Sequence, residues 1–520
     1  MWTSPYEPLP AAPPLVLDLV ADAERDGAGP ALIDAATGAR LTRRTLAGRV
    51  ARGAASLRAR GFGPGDVLAL WAPNSPDRAV AALGAMAAGG AVTGLGVVAT
   101  DAEVGMLVRR TRTSILAADP GLVSRARTVA RATGVPDVAV LGEVADPPVP
   151  GRSTCRGAAP EDVALLPSSS GTTGPPKSVV LTHGNLAAGV GQLRAGIRYT
   201  GDDVVLALAP FPHILGFVVT LAAPLAAGAT VVTVPRFDLG AVVTAVETYR
   251  VTVLAVPPPV LAALSGAPQT LAADLSSVEF LAAGGAPVTP ALQERAAVRF
   301  PRAVIAQGYG MTETTAVIPV PDRRRGTPPG SVGLLGPGTQ ARIVDAEGRD
   351  LGSGGDGELW VRGPQTTPGY LGDPAADAEL FGLDGWLRTG DLARMDGDGC
   401  LRIVDRLKEL IKVDGLQVAP AELEALLLAH PAVSDAAVVG LPDDQHGEAP
   451  VAAVVPRGNL DAAALISWAG EQVSPHKRLR AVHVVGQIPR TPAGKVLRRS
   501  LRLDAARPAP APSAAGVRTG

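Results

Sequence analysis

The amino-acid sequence predicts an α/β protein built from layered, largely parallel sheets. Apolar runs of strand length recur at 204–208, 230–234, 251–256, 278–281 and 304–306, with helical spacers between them. Each run is apolar throughout, which is typical of strands covered on both faces of a parallel sheet. With 520 residues, the chain is long enough for more than one domain.

Two longer apolar segments, 79–100 and 204–235, have the hydropathy of membrane spans because neither contains a charged residue. Helix-breaking residues interrupt both segments: Gly89 and Gly90 in the first, and Pro210 among others in the second. We therefore predict strand, turn, helix and strand in these segments, and no membrane span.

The second half of the chain indicates two further units. Short strands with Gly and Asp turns around 343–345 and 357–361 predict a β-rich subdomain. Pro420, followed by glutamates and regularly spaced leucines, predicts the start of a helix. With strands expected at 436–440 and 451–455, this helix completes a small α+β unit.

Composition excludes several classes of partner. The chain has 48 Lys and Arg against 49 Asp and Glu, and its aromatic content is 3%, so neither a basic stripe nor aromatic interleaving indicates nucleic acid or a membrane surface. Cys155 and Cys400 lie far apart, and no secretory leader pattern opens the sequence. We expect reduced thiols and a cytoplasmic location.

The loop at 165–177 has the composition of a polyphosphate cradle. It follows an apolar run and combines hydroxyl side chains, two glycines and Lys177, which offer backbone N–H groups, neutral donors and a compact positive charge. One interpretation is the P-loop G-x-x-x-x-G-K-[ST], which fits except that Pro176 stands at the second glycine. Proline has no N–H to donate to a phosphate there.

The same loop resembles the phosphate loop of the adenylate-forming superfamily, Ser-Ser-Gly-Thr-Thr-Gly-x-Pro-Lys-Gly. This superfamily contains acyl-CoA synthetases, luciferase and the adenylation domains of peptide synthetases. The resemblance implies that ATP phosphates are bound by Ser169, Ser170, Gly171, Thr172, Thr173, Gly174 and Lys177. Ser178 departs from the family, which usually has glycine beside the triphosphate path.

Further motifs of this superfamily follow in the expected order. The run 307–313, Gln-Gly-Tyr-Gly-Met-Thr-Glu, resembles the adenine and metal motif, which comprises Gly308, Tyr309, Gly310, Thr312 and Glu313. The resemblance implies that Tyr309 stacks on the purine, Thr312 contacts the α-phosphate and Glu313 holds Mg²⁺, a cation that prefers oxygen ligands.

The remaining motifs lie towards the C-terminus. By the same resemblance, Asp391 accepts hydrogen bonds from the ribose, Arg406 contacts the nucleotide, and Lys408 is the hinge residue. Lys495, in Pro-Arg-Thr-Pro-Ala-Gly-Lys, corresponds to the family's catalytic lysine. A cation is needed there because attack of a carboxylate on the α-phosphorus brings two anions together. Lys412 and Gln417 match positions that contact the adenylate.

The acyl pocket is inferred from the family alone. His213 matches a histidine that lines the acyl tunnel and is counted with the catalytic residues. The pocket is further expected to include Leu215, Gly284, Gly285, Ala286, Thr315 and Ala316. Leu215 replaces the tyrosine of plant coumarate ligases, so an apolar ring or a medium aliphatic chain fits better than a phenol. Thr315 and Ala316 replace a Gly-Pro pair and alter the pocket floor.

The resemblance covers about 31–501, and its nearest branch is the acyl- and aryl-CoA synthetases of the 4-coumarate-CoA ligase type. It implies a large N-terminal domain of layered α/β subdomains with a β-rich subdomain over 1–404, a hinge over 405–408 and a small, mobile α+β domain over 409–502. Residues 503–520, rich in Ala and Pro, are expected to be disordered. The expected state is a monomer or homodimer.

Three functions remain open from the sequence. The first is an ATP-, Mg²⁺- and coenzyme A-dependent acid-thiol ligase that adenylates a carboxylic acid and releases AMP and pyrophosphate, as in secondary metabolism. The second is an adenylating enzyme that loads a carrier protein. The third is a diazotase-type relative that uses ATP to activate nitrite for an aryl amine. Departures such as Ser178, Leu215 and Asp414 keep the last possibility open.

Overall fold

The computed structural model describes residues 1–10, 27–147, 158–169, 176–382, 384–414, 416–443, 445–491 and 494–505. Several sequence predictions lie outside these ranges: those for Ser170, Gly171, Thr172, Thr173, Gly174 and Cys155, and the tail beyond 505.

Strands account for most of the named elements in the described ranges. In chain order they are β1 (Trp2–Thr3), β2 (Pro30–Asp34), β3 (Arg40–Thr42), β4 (Val67–Trp71), β5 (Ala91–Leu95), β6 (Ile115–Ala118), β7 (Asp137–Val140), β8 (Val163–Leu165), β9 (Ser168–Ser169), β10 (Lys177–Thr182), β11 (Val204–Ala207), β12 (Thr230–Thr233), β13 (Val253–Val256), β14 (Phe280–Ala283), β15 (Val304–Gln307), β16 (Pro319–Val320), β17 (Leu334–Leu335), β18 (Gln340–Val344), β19 (Gly357–Arg362), β20 (Gly369–Tyr370), β21 (Leu387–Met395), β22 (Leu401–Arg406), β23 (Ile411–Val413), β24 (Leu416–Val418), β25 (Val433–Asp443), β26 (Gly447–Pro456) and β27 (Ala481–Val484).

The α-helices of the described ranges are α1 (Arg43–Ala59), α2 (Pro76–Ala88), α3 (Asp101–Arg110), α4 (Val123–Thr133), α5 (Leu141–Ala145), α6 (His183–Ile197), α7 (Ala223–Ala226), α8 (Leu239–Tyr249), α9 (Pro258–Gly266), α10 (Pro268–Leu271), α11 (Pro290–Arg299), α12 (Pro374–Leu380), α13 (Pro420–Ala429), α14 (Ala462–Gly470) and α15 (Arg498–Ala505). Single 3₁₀ turns occur at Pro120–Leu122, Thr312–Thr314 and Pro475–Lys477, and Leu215–Ala222 is a π-helix.

The chain divides into two compact units. The first comprises Met1–Thr389 and Arg394–Ile403, and the second comprises Gly390–Ala393 and the chain from Val404 onward. The short segment 390–393 therefore belongs with the C-terminal residues, although it lies within strand β21.

Two sheets with parallel cores form the centre of the first unit. One has the order β20-β10-β8-β5-β4-β6-β7, with β9 paired to β10, and its strands β8, β5, β4, β6 and β7 run parallel. The other has the order β15-β14-β13-β11-β12-β2-β3, and all but β3 are parallel. The α/β prediction is confirmed, since the five predicted apolar runs are neighbouring strands of this second sheet.

Only the second of the two long apolar segments has the predicted order of strand, turn, helix and strand. The first comprises α2 followed by β5, and the second comprises β11, the π-helix, α7 and β12. Ser75 caps α2 by accepting the Arg78 N–H, and Gly89 ends it in a left-handed conformation with φ 97°. None of the helices within the described ranges is long and apolar enough to cross a bilayer.

The predicted β-rich region is a five-stranded sheet of order β1-β18-β19-β21-β22. Strand β18 pairs antiparallel with β19 and also with the N-terminal strand β1, a pairing that joins residues at opposite ends of the unit. A separate two-stranded sheet, β16-β17, completes this part of the fold.

The second unit is the predicted small α+β fold. Its sheet has the order β24-β23-β26-β25, with β27 parallel to β26 on the other side. Helix α13 packs on β25, and Leu423 and Leu427 are buried there beside Val438 and Val454. The helix thus begins at Pro420, as its sequence predicts.

Candidate active site

The described ends of the predicted phosphate loop lie side by side. Strand β9 pairs antiparallel with β10, so that Lys177 lies opposite Ser169 and Ser178 lies opposite Ser168. Ser178 is buried, and its hydroxyl has no hydrogen-bond partner among the described residues. The structure thus places this departure from the family inside the fold, at the base of the loop.

Lys177 and Glu313 both contact a third residue, Tyr370. The Lys177 ammonium lies 4.9 Å from the centre of the Tyr370 ring. The Tyr370 hydroxyl donates a hydrogen bond of 2.8 Å to Oε1 of Glu313, whose side chain is buried. Burial, and then the Glu313 charge, raise the pKa of Tyr370, so that its phenol stays protonated and keeps donating.

Glu313 fits the predicted role of a magnesium ligand. It is a buried carboxylate with one oxygen held by Tyr370, which leaves Oε2 for a cation. The described residues contain no cluster of three or more His, Cys, Asp or Glu side chains that could hold a metal ion. A single carboxylate plus phosphate oxygens is a common coordination for Mg²⁺.

A tight turn connects strand β15 to Glu313. A Cβ on Gly310 would lie 2.2 Å from the Ala316 oxygen, so only glycine fits this approach. Thr315 and Ala316 both have positive φ, 52° and 69°, which is unusual for side chains with a Cβ and most of all for β-branched threonine. Thr315 and Ala316, which stand where the family has Gly-Pro, thus both have a left-handed backbone conformation at the predicted pocket floor.

Buried polar contacts hold this floor in place. The Thr315 hydroxyl donates to the main-chain oxygen of Gln365 over 2.7 Å. The Gln365 side chain bonds in turn to those of Gln192 and Thr339. On the facing helix α6, a Cβ on Gly189 would lie 2.8 Å from Cγ2 of Thr315, so glycine there makes room for the threonine methyl.

The predicted acyl-pocket residues follow the carboxyl ends of parallel strands. His213 and Leu215 follow β11, Gly284 follows β14, and Gly308 follows the adjacent strand β15. A Cβ on Gly284 would lie 2.9 Å from the Gly308 oxygen, so the two backbones approach closely. Gly285 and Ala286 continue from Gly284 at the same edge, where ligands of open α/β sheets bind.

His213 is held as a neutral ring. Burial lowers its pKa, and Nδ1 accepts the Leu215 N–H over 3.3 Å. The proton of the neutral imidazole is therefore on Nε2, which makes that atom a donor.

The second unit brings together three of the predicted site residues. Arg406 Nε lies 2.8 Å from Oδ1 of Asp391, whose side chain is only 2% exposed. Lys495 lies close enough to both for their charges to act on it. Burial and then Arg406 lower the pKa of Lys495, whereas Glu409 and Asp391 act in the opposite direction. This cluster can present an ammonium and a carboxylate to the same nucleotide.

Local bonds fix the segment that carries Lys495. The Thr491 N–H donates to the Lys495 oxygen over 2.8 Å, and the Thr491 hydroxyl accepts the Lys495 N–H over 3.2 Å. Arg490 donates to the Gly494 oxygen and pairs with Asp435 over 2.8 Å. The Pro-Arg-Thr motif thus shapes the turn that presents the lysine.

The other predicted residues of this unit lie on its surface. Lys408 is exposed in the turn after β22. Lys412 and Gln417 lie directly opposite each other in the β23-β24 hairpin, and both are exposed. Asp414, at the hairpin turn, has φ 52°, and its Oδ1 accepts a hydrogen bond of 2.8 Å from Nδ1 of His446.

Sequence reasoning did not identify two contributors to these clusters. Tyr370 was missed because its signal, Gly-Tyr before an Asp-Pro helix start, is common in turns. Arg498 has no distinguishing local signal in the sequence, yet it lies largely buried between Glu409 and Glu424.

Comparison with known proteins agrees with the motifs. The family model described as AMP-binding enzyme matches residues 19–371, and the model of the AMP-binding enzyme C-terminal domain matches 422–495. The chain belongs to the AMP-binding enzyme family. This confirms the predicted superfamily and its type of fold.

Relatives with known names span nearly the whole chain. A 4-coumarate–CoA ligase-like 6 protein of Oryza sativa subsp. japonica is 40% identical over 96% of this chain and 86% of its own length. A 4-coumarate–CoA ligase 3 of the same organism is 38% identical over 92% and 89%. The ATP-bound crystal structure of MatB from Rhodopseudomonas palustris superposes with a TM-score of 0.87 at 28% identity, over 95% of this chain and 99% of that one.

Membership of the AMP-binding enzyme family confirms the predicted reaction class. The chain is an AMP-forming acyl-CoA ligase. Its substrates include ATP and coenzyme A, and its cofactor is Mg²⁺. The carrier-protein and nitrite alternatives are not favoured by these relatives.

Proposed function

We propose that this AMP-binding enzyme adenylates an apolar aryl, cinnamate-like or medium-chain carboxylic acid and transfers the acyl group to coenzyme A. The observation that carries the proposal is the cluster of Lys495, Asp391 and Arg406, because it combines a partly buried ammonium with a carboxylate and a guanidinium. Names of the relatives support the same class of substrate.

In the first half-reaction, a carboxylate oxygen of the acid forms a bond to the α-phosphorus of ATP. The bond from that phosphorus to the bridging oxygen breaks, and pyrophosphate leaves. Lys495 is proposed to meet the negative charge that develops on the α-phosphate and carboxylate oxygens, since a desolvated cation stabilises such charge strongly. Thr312 is assigned to the α-phosphate.

The remaining phosphates are assigned to the first unit. Lys177 and the hydroxyls and glycines of the loop between Ser169 and Lys177 hold the β- and γ-phosphates. Glu313 holds Mg²⁺, which supplies positive charge to the phosphate oxygens when bound. Tyr309 and its neighbours Gly308 and Gly310 form the adenine site in this proposal.

In the second half-reaction, the coenzyme A thiol attacks the acyl carbon, the thiol proton is lost, and AMP leaves with the electron pair of the broken acyl–oxygen bond. We propose that the C-terminal unit changes orientation about Lys408 between the two steps. Asp391 and Arg406 keep the ribose, while Lys412 and Gln417 contact the adenylate.

The pocket assignment limits the acid. Leu215 offers no hydrogen bond to a 4-hydroxyl, and His213 offers one Nε2–H donor. A pocket that offers no hydrogen-bond partner to a phenol hydroxyl gains no affinity from that hydroxyl. We therefore propose an acid with an apolar distal end, and we keep a cytoplasmic location and a monomeric or dimeric state as predictions.

The test is ATP–pyrophosphate exchange across a panel of aryl, cinnamate-like and aliphatic acids, followed by AMP release with and without coenzyme A. Exchange with at least one acid and a coenzyme A-dependent rise in AMP release are expected. Exchange without any coenzyme A effect would overturn the proposed acceptor.

Lys495→Ala separates the two half-reactions. It should abolish pyrophosphate exchange while leaving thioester formation from a supplied acyl-adenylate largely intact. Lys477→Ala is the matched control, because Lys477 lies in the same unit but pairs with Glu422. Normal exchange by Lys495→Ala would contradict the role assigned to this lysine.

A further inference from the structure

Tyr370 lies between two opposite charges that do not pair with each other. Its ring faces the Lys177 ammonium at 4.9 Å, and its hydroxyl binds Glu313 at 2.8 Å. No ion pair joins Lys177 to Glu313 among the described contacts. Each charge therefore has Tyr370 as a partner of moderate strength.

The position of Tyr370 is set by its backbone. Strand β20 pairs with β10, which places Tyr370 opposite Val179, two residues beyond Lys177 on the same face of β10. The Tyr370 N–H donates to Oδ1 of Asp377 over 2.6 Å. These bonds fix the main chain at Tyr370, and the hydroxyl bond to Glu313 orients the ring beside Lys177.

The same strand pair also holds Glu313. The Thr367 N–H donates to the main-chain oxygen of Glu313 over 2.8 Å, and the Thr367 hydroxyl donates to the main-chain oxygens of Val180 and Gly369. Lys177, Tyr370 and Glu313 are thus fixed to one framework.

The placement of Tyr370 affects how Lys177 and Glu313 interact with each other and with a substrate. A lysine and a buried glutamate that are close together tend to form an ion pair, and such a pair has to break before the lysine can bind phosphate or the carboxylate can bind a cation. A ring face attracts an ammonium without neutralising it, and a phenol donates to a carboxylate without removing its charge. An aromatic alcohol between the two charges therefore keeps both available.

We propose that Tyr370 is a positioning residue that separates Lys177 from Glu313 and keeps each ready for its part of a magnesium–triphosphate substrate. This inference rests on the proposed function, since it takes Lys177 as a phosphate ligand and Glu313 as a metal ligand. It predicts that the ring and the hydroxyl of Tyr370 make separate contributions.

Two variants separate these contributions. Tyr370→Phe keeps the ring beside Lys177 but removes the hydrogen bond to Glu313. Tyr370→Leu removes both, so that Lys177 can approach Glu313 directly. Folding of each variant is checked by its melting temperature.

The first measurement is ATP binding by calorimetry at a series of Mg²⁺ concentrations, without acid, so that no reaction occurs. Tyr370→Phe should need about tenfold more Mg²⁺ for half-maximal ATP affinity, the effect expected when a hydrogen bond to a charged group is lost. Tyr370→Leu should need still more. An unchanged Mg²⁺ requirement in Tyr370→Phe would overturn the inference, even if Tyr370→Leu fails to fold.

The second measurement is ATP binding in EDTA, which reports on Lys177 without the metal. Tyr370→Leu should bind ATP more weakly than the wild type because Glu313 captures the lysine. The double variant Tyr370→Leu/Glu313→Gln should recover this binding, since glutamine holds no charge for Lys177. Failure of the recovery would show that Tyr370 does not act as a separator.

Wild-type exchange distinguishes this inference from the proposed function. If the wild type exchanges pyrophosphate with some acid but the Tyr370 variants bind ATP normally, only the inference fails. If no acid supports exchange and yet the binding order holds, the proposed substrate fails and the role of Tyr370 stands.

Discussion

Arg498 Nε lies 2.6 Å from Oε2 of Glu409, and the same guanidinium pairs with Glu424 and donates to the Val438 oxygen. Glu409 directly follows the predicted hinge residue Lys408, and Arg498 follows the predicted catalytic Lys495 by three positions. The three charged side chains are 12–15% exposed. This cluster therefore joins the segment after the hinge to the segment that carries the lysine.

Replacing Arg498 by Met should destabilise the second unit strongly. Two largely buried carboxylates would lose their shared cation, and breaking such a pair costs about 3–5 kcal/mol. Urea unfolding measures the loss, with Arg498→Met/Glu409→Gln/Glu424→Gln as the matched control that removes the uncompensated charges. The triple variant should recover much of the stability. Wild-type stability in Arg498→Met alone would show that the cluster contributes little.

Lys408→Pro should block the second half-reaction more than the first. Proline fixes φ at a position that is proposed to change conformation between adenylation and thioester formation. Among the described main-chain hydrogen bonds, none is donated by the Lys408 N–H, so proline removes no such bond. Pyrophosphate exchange should survive and thioester formation should fall, whereas Lys408→Ala should retain both. An equal loss of both steps would mean that Lys408 is not the pivot.

The fold of the first unit was predictable because its central strands are buried on both faces. Such strands give continuous apolar runs, and the five predicted runs agree with β11, β12, β13, β14 and β15 to within two residues at each end. The pairing of β1 with β18 was not predictable, because a two-residue strand has no periodicity and its partner lies over 300 positions away.

Site residues in local motifs were easier to predict than their supports. Glu313 and Lys495 stand in short, recognisable runs, whereas Tyr370 reaches Glu313 across 57 positions through the register of β20 on β10. Arg498 meets Glu409 across 89 positions, and nothing in its local sequence distinguishes it from a solvated arginine. Contacts between residues far apart in the chain depend on how strands pair in the fold, and a single sequence contains no local pattern that predicts them.

Ser178→Ala should keep or slightly raise stability. The Ser178 hydroxyl is buried without a partner among the described residues, and such a group costs about 1–3 kcal/mol to bury. Alanine keeps the side-chain volume in β10 nearly unchanged, and Ser178→Gly additionally restores the residue usual in the family. Both variants are compared by urea unfolding and by the KM for ATP in pyrophosphate exchange. A loss of stability and of ATP affinity in Ser178→Ala would assign the hydroxyl a positive role at the base of the loop.

Asp405 should make the second unit less stable as the pH rises towards neutrality. Burial raises its pKa to about 6, although the Ala421 and Arg406 N–H groups, which donate to its two oxygens, oppose the rise. Because the folded pKa lies above the unfolded value of 3.8, the protonated form stabilises the fold at low pH, and this contribution is lost as the pH rises through about 6.

The comparison with Asp405→Asn isolates that effect, since asparagine does not ionise. The free energy of unfolding of the wild type, measured relative to the variant, should fall by about 2 kcal/mol between roughly pH 4.5 and roughly pH 7.5. Parallel pH profiles for the two proteins would contradict a raised pKa at this position.

Leu215→Tyr tests whether the acyl pocket has been assigned correctly. Leu215 begins the π-helix and its N–H binds His213 Nδ1, so a tyrosine there should carry its phenol into the pocket proposed around His213. The variant should favour 4-hydroxycinnamate over cinnamate in kcat/KM, because a buried hydroxyl left without a partner costs about 1–3 kcal/mol. Leu215→Phe is the matched control, since it adds the same ring without the hydroxyl and should shift both acids alike. If the ratio of the two acids is the same in the wild type, Leu215→Phe and Leu215→Tyr, then residue 215 does not line the site, and the pocket has to be sought elsewhere along the carboxyl edge of the second sheet.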